Sequence, residues 1–120
     1  MKRIGIIGSR RRDRGIDRKA VREKFFEIYE EGDIIVSGGC PKGGDKFAEQ
    51  IAKENGIPIM IYYPNWKKFG RGAGFVRNLD IAENSDVIVA CVTEDRTGGT
   101  EDTISKFVKH RPDGPVILVE

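Results

Sequence analysis

The chain has 120 residues, 38% of them hydrophobic and 33% charged, with a formal net charge of +2. That length fits one compact domain, residues 1–120, and the near-cancelling charges leave no global field that would commit the protein to nucleic acid. No apolar run reaches membrane-spanning length and the N-terminal apolar stretch is too short for a signal peptide, so the expectation is a cytoplasmic protein with no membrane partner.

In chain order the hydrophobic periodicity alternates strand and helix. The first strand is read over Arg3 to Ile7. A helix follows from about Asp17, taken as its N-cap, to Glu31, with Val21, Phe25, Ile28 and Tyr29 on one face and Gly32 as its stop. Asp33 to Ser37 reads as a buried strand. Asp45 to Asn55 reads as a helix with Phe47, Ala48, Ile51 and Ala52 turned inward, closed by Gly56. Ile57 to Tyr62 is the third strand, Pro64 to Gly72 a loop, and Gly74 to Asn84 a short helix. Asp86 to Cys91 is a continuous apolar strand of the kind buried on both faces. The last helix runs from about Thr100 to Lys109, with Ile104, Phe107 and Val108 at core spacing, and Val116 to Val119 is the final strand. This order predicts an α/β fold, a three-layer Rossmann-like sandwich with a central parallel sheet of about five strands.

In such a sheet the strand-to-helix loops emerge at one edge, where ligands bind beyond the strand C-termini. Four loops should therefore converge there: Gly8 to Arg12, Ser37 to Asp45, Pro64 to Gly74, and Thr97 to Thr100. In the first, Gly8 permits a tight exit, and Ser9 and Arg10 can donate to phosphate oxygens. Arg11, Arg12 and Arg14 read more simply as a solvated basic loop. The second, Ser37-Gly38-Gly39-Cys40-Pro41-Lys42-Gly43-Gly44-Asp45, is glycine-dense and opens a helix, an arrangement that suits an anion. It lacks the Gly-Lys-Ser/Thr ending of an ATP-binding loop, so NTP hydrolysis is not expected. Phosphate is expected against Gly38, Gly39 and Gly43 with Lys42 nearby, and Asp45, ionised at a helix start, against ribose hydroxyls.

The third loop interleaves Trp66 and Phe69 with Lys67, Lys68 and Arg71. The helix behind it presents Arg77 and Asn78 to the shared crevice. In the fourth, Gly98, Gly99 and Thr100 repeat the anion-binding theme, although Glu101 and Asp102 also make an ordinary acidic first turn. His110 falls near a helix end, where a cation is favoured without any catalytic role. Cys40 and Cys91 lie outside any C-x-x-C pair and read as reduced thiols. No metal and no resident cofactor is expected.

Gly8-Ser9-Arg10, Ser37-Gly38-Gly39 through Asp45, Tyr63-Pro64 with Trp66, Ala73-Gly74 with Arg77-Asn78, Ser85-Asp86 and Gly99-Thr100 together resemble the SLOG superfamily. This is the Rossmann-like group of the DNA-processing protein A core and the lonely-guy phosphoribohydrolases, and the YspA and YpsA-related branch of single-domain proteins looks most similar. The resemblance implies a nucleotide or nucleotide-derived ligand at this edge, and often a homodimer. It also carries a departure: the hydrolase branch places a catalytic glutamate three residues after the threonine, where this chain has Thr103.

The leading expectation is thus binding of a nucleotide or nucleotide-derived phosphorylated molecule, as a sensor or carrier. One alternative is N-glycosidic cleavage of a nucleoside 5′-monophosphate, with Asp45 or Glu101 as the carboxylate. A second is single-stranded DNA binding through Arg10 to Arg14 and Lys67 to Arg71, which the near-neutral charge disfavours.

Overall fold

The computed structural model describes all residues from Met1 to Glu120. Five strands, β1 (Arg3–Gly8), β2 (Ile34–Ser37), β3 (Ile59–Ile61), β4 (Val87–Cys91) and β5 (Val116–Val119), form one sheet in the order β3-β2-β1-β4-β5. Every pairing is parallel, with Ile4 opposite both Ile35 and Val87. The helices are α1 (Gly15–Ile28), α2 (Gly44–Asn55), the single turn α3 (Trp66–Phe69), α4 (Ala73–Glu83) and α5 (Gly99–His110).

Strand alternation sorts the side chains into two cores. Ile4, Ile6, Ile35, Val87, Val89 and Cys91 meet Val21 and Phe25 of α1 and Phe47 and Ile51 of α2 on one face. Ile7, Val36, Ile88 and Ala90 meet Ile81 and Ala82 of α4 and Phe107 of α5 on the other. Fully burying Phe25, Phe47 and Phe107 contributes about 2–3 kcal/mol each. The sheet is therefore sandwiched between two helical layers, the Rossmann-like architecture expected from the alternation.

Several boundaries differ for local physical reasons. Helix α1 begins at Gly15, and Asp17 is its N3 residue: the carboxylate accepts the Arg14 N–H at 3.1 Å, while Arg14 is the N-cap. It ends at Ile28 because Tyr29 turns extended and stacks its ring on Phe25 at 5.3 Å. Asp33 then closes the turn by accepting the N–H groups of Glu30 and Lys2. The expected loop from Pro64 contains α3, capped by the Asn65 side chain accepting the Lys68 N–H, and a 3₁₀ turn over Gly70–Gly72. Val108 is exposed rather than in the core.

The chain reverses direction across the sheet between β3 and β4. The β1 and β4 loops consequently diverge to opposite faces, opening a crevice at the strand C-termini.

Candidate functional site

Helix α2 is pinned to β1 by glycines. A Cβ on Gly44 would lie 2.6 Å from the Ile7 carbonyl oxygen and closer still to the Ile7 carbonyl carbon and the Gly8 nitrogen. Gly8 answers from the strand: a Cβ there would meet Cys91 Cβ at 2.9 Å and the Gly44 backbone at 3.1 Å. This contact fixes where the second loop can go.

Around Gly38, Gly39 and Gly43, the expected phosphate contacts, protein atoms fill the side where a Cβ would point. A Cβ on Gly38 would reach Arg77 Nη1 at 2.5 Å and Asp45 Oδ2 at 2.9 Å; one on Gly39 would reach the Tyr63 ring at 2.5 Å. Gly43 packs on the Ser9–Arg10 backbone, and its N–H donates to Asp13 Oδ1 at 2.8 Å. Lys46 pairs with the same carboxylate at 2.5 Å, and both partners hold the Asp13 carboxyl below its usual range. Lys42 projects into solvent, outside the hollows described below.

The Gly98–Thr100 turn is the open one. Nothing lies within 4 Å of a Cβ built on Gly98, and Gly99 meets only Asn78 Nδ2 at 3.8 Å. The first intrahelical bond of α5 runs from the Asp102 N–H to the Gly98 carbonyl, leaving the N–H groups of Gly99, Thr100 and Glu101 without acceptors in the chain. Gly99 and Thr100 border a hollow of about 290 Å³ lined by Gly8, Ser9, Arg10, Arg11, Cys40 and residues 97–100. Arg10 is exposed and its guanidinium has no partner. Arg11 is tied across the crevice to Asp95 at 2.5 Å and to Thr93 at 2.9 Å, joining the first loop to the fourth. Ser9 accepts the Arg11 N–H at 3.1 Å.

Beneath this hollow, and sharing Gly8, Gly99 and Thr100 with it, lies a cavity of about 50 Å³ that also meets Asp45, Arg77, Asn78 and Thr103. Arg77 donates from Nη1 to the Gly38 carbonyl and from Nε to Asn78 Oδ1 at 3.1 Å. Asn78 is buried and fully engaged, donating to the Gly99 carbonyl at 3.3 Å and to Asp102 at 3.0 Å, and Lys106 completes the chain at 2.7 Å from Asp102. This network positions Arg77 and supports α5, and it commits both N–H donors of the Asn78 amide.

Asp45 is buried and accepts the Cys40 N–H at 3.0 Å, with Arg77 Nη1 at 3.9 Å. Burial pushes its carboxyl above the usual range, against the pull of the Cys40 N–H and Arg77. The expected ribose contact would thus have to be made inside a space too small for a sugar ring. Glu101 does not line either hollow; it forms a two-point pair with Arg96 at 2.7 and 2.9 Å. Thr103 faces the cavity and bonds back to the Gly99 carbonyl at 3.0 Å. Neither carboxylate proposed for N-glycosidic cleavage therefore stands free in the crevice.

Of the cations considered for single-stranded DNA, Lys67, Lys68 and Arg71 are exposed and form no ion pair, whereas the first loop's are partly tied up. Arg12 is committed to Asp17 and to the Val92 and Val119 carbonyls. A larger hollow, about 600 Å³, lies beside Arg12 and Arg96, but both are paired with carboxylates, and Glu94 and Glu120 add negative charge. An anion is disfavoured there. Cys91 is buried, which pushes its thiol up to about 11. Ser85 and Asp86 sit at the opposite edge of the sheet, where Ser85 bonds the Ile81 carbonyl and Asp86 receives Arg3 and Arg111.

Sequence reasoning missed Asp13 and Asp102, whose partners lie 30 and 24 residues away. It also missed Arg11 as a cross-crevice tie, for which four arginines in five positions gave no distinguishing mark.

The fold and site together define a Rossmann-like α/β protein with an anion-compatible crevice at its strand C-termini. Among solved structures, the molybdenum cofactor binding protein from the phototrophic bacterium Rippkaea orientalis is similar, with a TM-score of 0.73 and 25% identity over 98% of this chain and 75% of that one. No protein-family model and no curated protein matches the chain. No helix is long and apolar enough to cross a membrane.

Proposed function

We propose that this protein binds a small phosphorylated ligand, a nucleotide or nucleotide-derived molecule, and holds it as a sensor or carrier without cleaving it. One observation carries the reading: the free N–H groups opening α5 and the unpartnered Arg10 face the same hollow, while Arg11, Arg12, Arg77 and Arg96 are already engaged. Backbone donors at a helix start together with a free guanidinium are what a phosphate needs. The absence of a free carboxylate in the crevice argues against glycosidic cleavage, which requires charge stabilisation beside the sugar.

The similarity to a molybdenum cofactor binding protein extends the candidate ligands to that cofactor. No three His, Cys, Asp or Glu side chains come together to hold a metal ion, so such a ligand would be held through an anionic end at Gly98–Thr100 and Arg10. Isothermal titration against nucleoside mono- and diphosphates, ADP-ribose, cyclic nucleotides and the molybdenum cofactor tests the reading. Saturable binding of one class is expected; silence from folded protein at millimolar ligand would overturn it.

A further inference from the structure

We infer that Tyr63 is the seat for a planar heteroaromatic group of the ligand, a base-binding subsite adjoining the phosphate hollow; the inference rests on the proposed binding function. Tyr63 follows β3, at the same sheet edge as the crevice, and the residue is 66% exposed although one edge of its ring is backed. The backing is Gly39: a Cβ there would fall 2.5 Å from Tyr63 Cε1 and 2.6 Å from Cδ1, so the ring lies against the bare backbone. With its φ of +74° the position disfavours a side chain twice over.

The turn beneath the ring is braced from both ends. Arg77 holds the Gly38 carbonyl, and Asp45 accepts the Cys40 N–H at 3.0 Å. Cys40, the residue after Gly39, is itself in the wall of the 290 Å³ hollow that holds Arg10 and the start of α5. A ligand with its phosphate at Gly99–Thr100 that extends past Cys40 therefore meets an aromatic ring already seated against the Gly39 backbone. The platform's phenol oxygen makes no hydrogen bond in the chain, and burial of the ring is not needed for the core. Stacking on such a ring is tolerant of base identity. Pre-organisation removes the ordering cost that a mobile aromatic side chain would carry.

The test compares nucleoside monophosphates with ribose 5-phosphate, which shares all but the base, on wild type, Tyr63→Leu and Tyr63→Phe. Wild type should bind at least one nucleoside monophosphate more tightly than ribose 5-phosphate. Tyr63→Leu should erase that preference, weakening the nucleotide by about tenfold and leaving ribose 5-phosphate unchanged; Tyr63→Phe should retain it. In wild type, the Tyr63 ring proton resonances should shift upfield with the nucleotide and stay in place with ribose 5-phosphate, a readout independent of any variant's folding. Ribose 5-phosphate binding with no added preference for any nucleotide, or a Tyr63→Leu loss equal for both ligands, overturns the subsite alone. Silence toward both ligand types overturns the subsite together with the phosphate reading beneath it.

Discussion

Arg10 and Arg77 are both arginines at the crevice, yet the structure assigns them opposite consequences on truncation. Arg10 is exposed and touches no acceptor, so Arg10→Ala removes nothing from the folded protein and should change stability by no more than about 0.5 kcal/mol. A guanidinium bonded to phosphate is worth about 1.5–3 kcal/mol, which converts to a loss of roughly 10- to 150-fold in affinity for a phosphorylated ligand. Arg77→Ala instead strips the Gly38 carbonyl and Asn78 Oδ1 of their donor and leaves the buried Asp45 without its nearest cation. That should cost about 2–3 kcal/mol, or a fall of roughly 10 °C in Tm at this chain length. Titration calorimetry and thermal unfolding on the same samples separate the two. Unchanged affinity in Arg10→Ala, or a Tm loss matching that of Arg77→Ala, would refute the reasoning.

Three further outcomes follow from the geometry. Gly44→Ala drives a methyl into the Ile7–Gly8 backbone and should destabilise by about 3 kcal/mol or more, whereas Gly15→Ala, with open space around it and no positive φ, should be neutral or stabilising by up to about 1 kcal/mol; thermal denaturation of the pair checks both. Asp33, held at about 2 against a usual 3.8 by Lys2 and by two backbone N–H groups despite its burial, contributes stability that is complete above pH 3.8 and disappears as pH falls through about 2. The Tm gap between wild type and Asp33→Asn should therefore be flat near neutrality and close across that acid window. Asp45 has the opposite sign. Burial raises its pKa, so its charge costs stability above the folded pKa and nothing below pH 3.8. Asp45→Asn should consequently raise Tm most near neutral pH, with the gain shrinking toward pH 4; a gain that grows on acidification would contradict the assignment.

The fold was legible because apolar runs of strand and helix period alternate from end to end, and a parallel sheet with helices on both faces follows from that order. The shared edge of the loops was legible for the same reason. Which glycine turn lies open was not. Glycine announces that something approaches the backbone closely, and in Ser37 to Asp45 that something is Arg77, Tyr63, the first loop and β1. The same density of glycine would have read identically had a phosphate filled the space. Asp45 was visible as a helix-start carboxylate, but its burial depends on α4 delivering Arg77 from 32 positions downstream. Glu101 looked available until Arg96, held at a φ of +52°, turned back onto it. The contacts around Gly38, Gly39 and Asp45 cross the sheet edge, where sequence spacing carries no distance, and the Arg96–Glu101 pair, only five residues apart, depends on a left-handed backbone at Arg96 that its residue type does not announce.

The central claim, that phosphate is held where the first loop meets the start of α5, is tested most directly by following backbone amide resonances during titration with inorganic pyrophosphate. The account predicts concerted, saturable shifts at Arg10, Gly98, Gly99, Thr100 and Glu101, with little change at Gly43, whose N–H already donates to Asp13. Shifts centred instead on Thr93, Glu94 and Arg96 around the larger hollow, or on Gly43 and its neighbours, would contradict it.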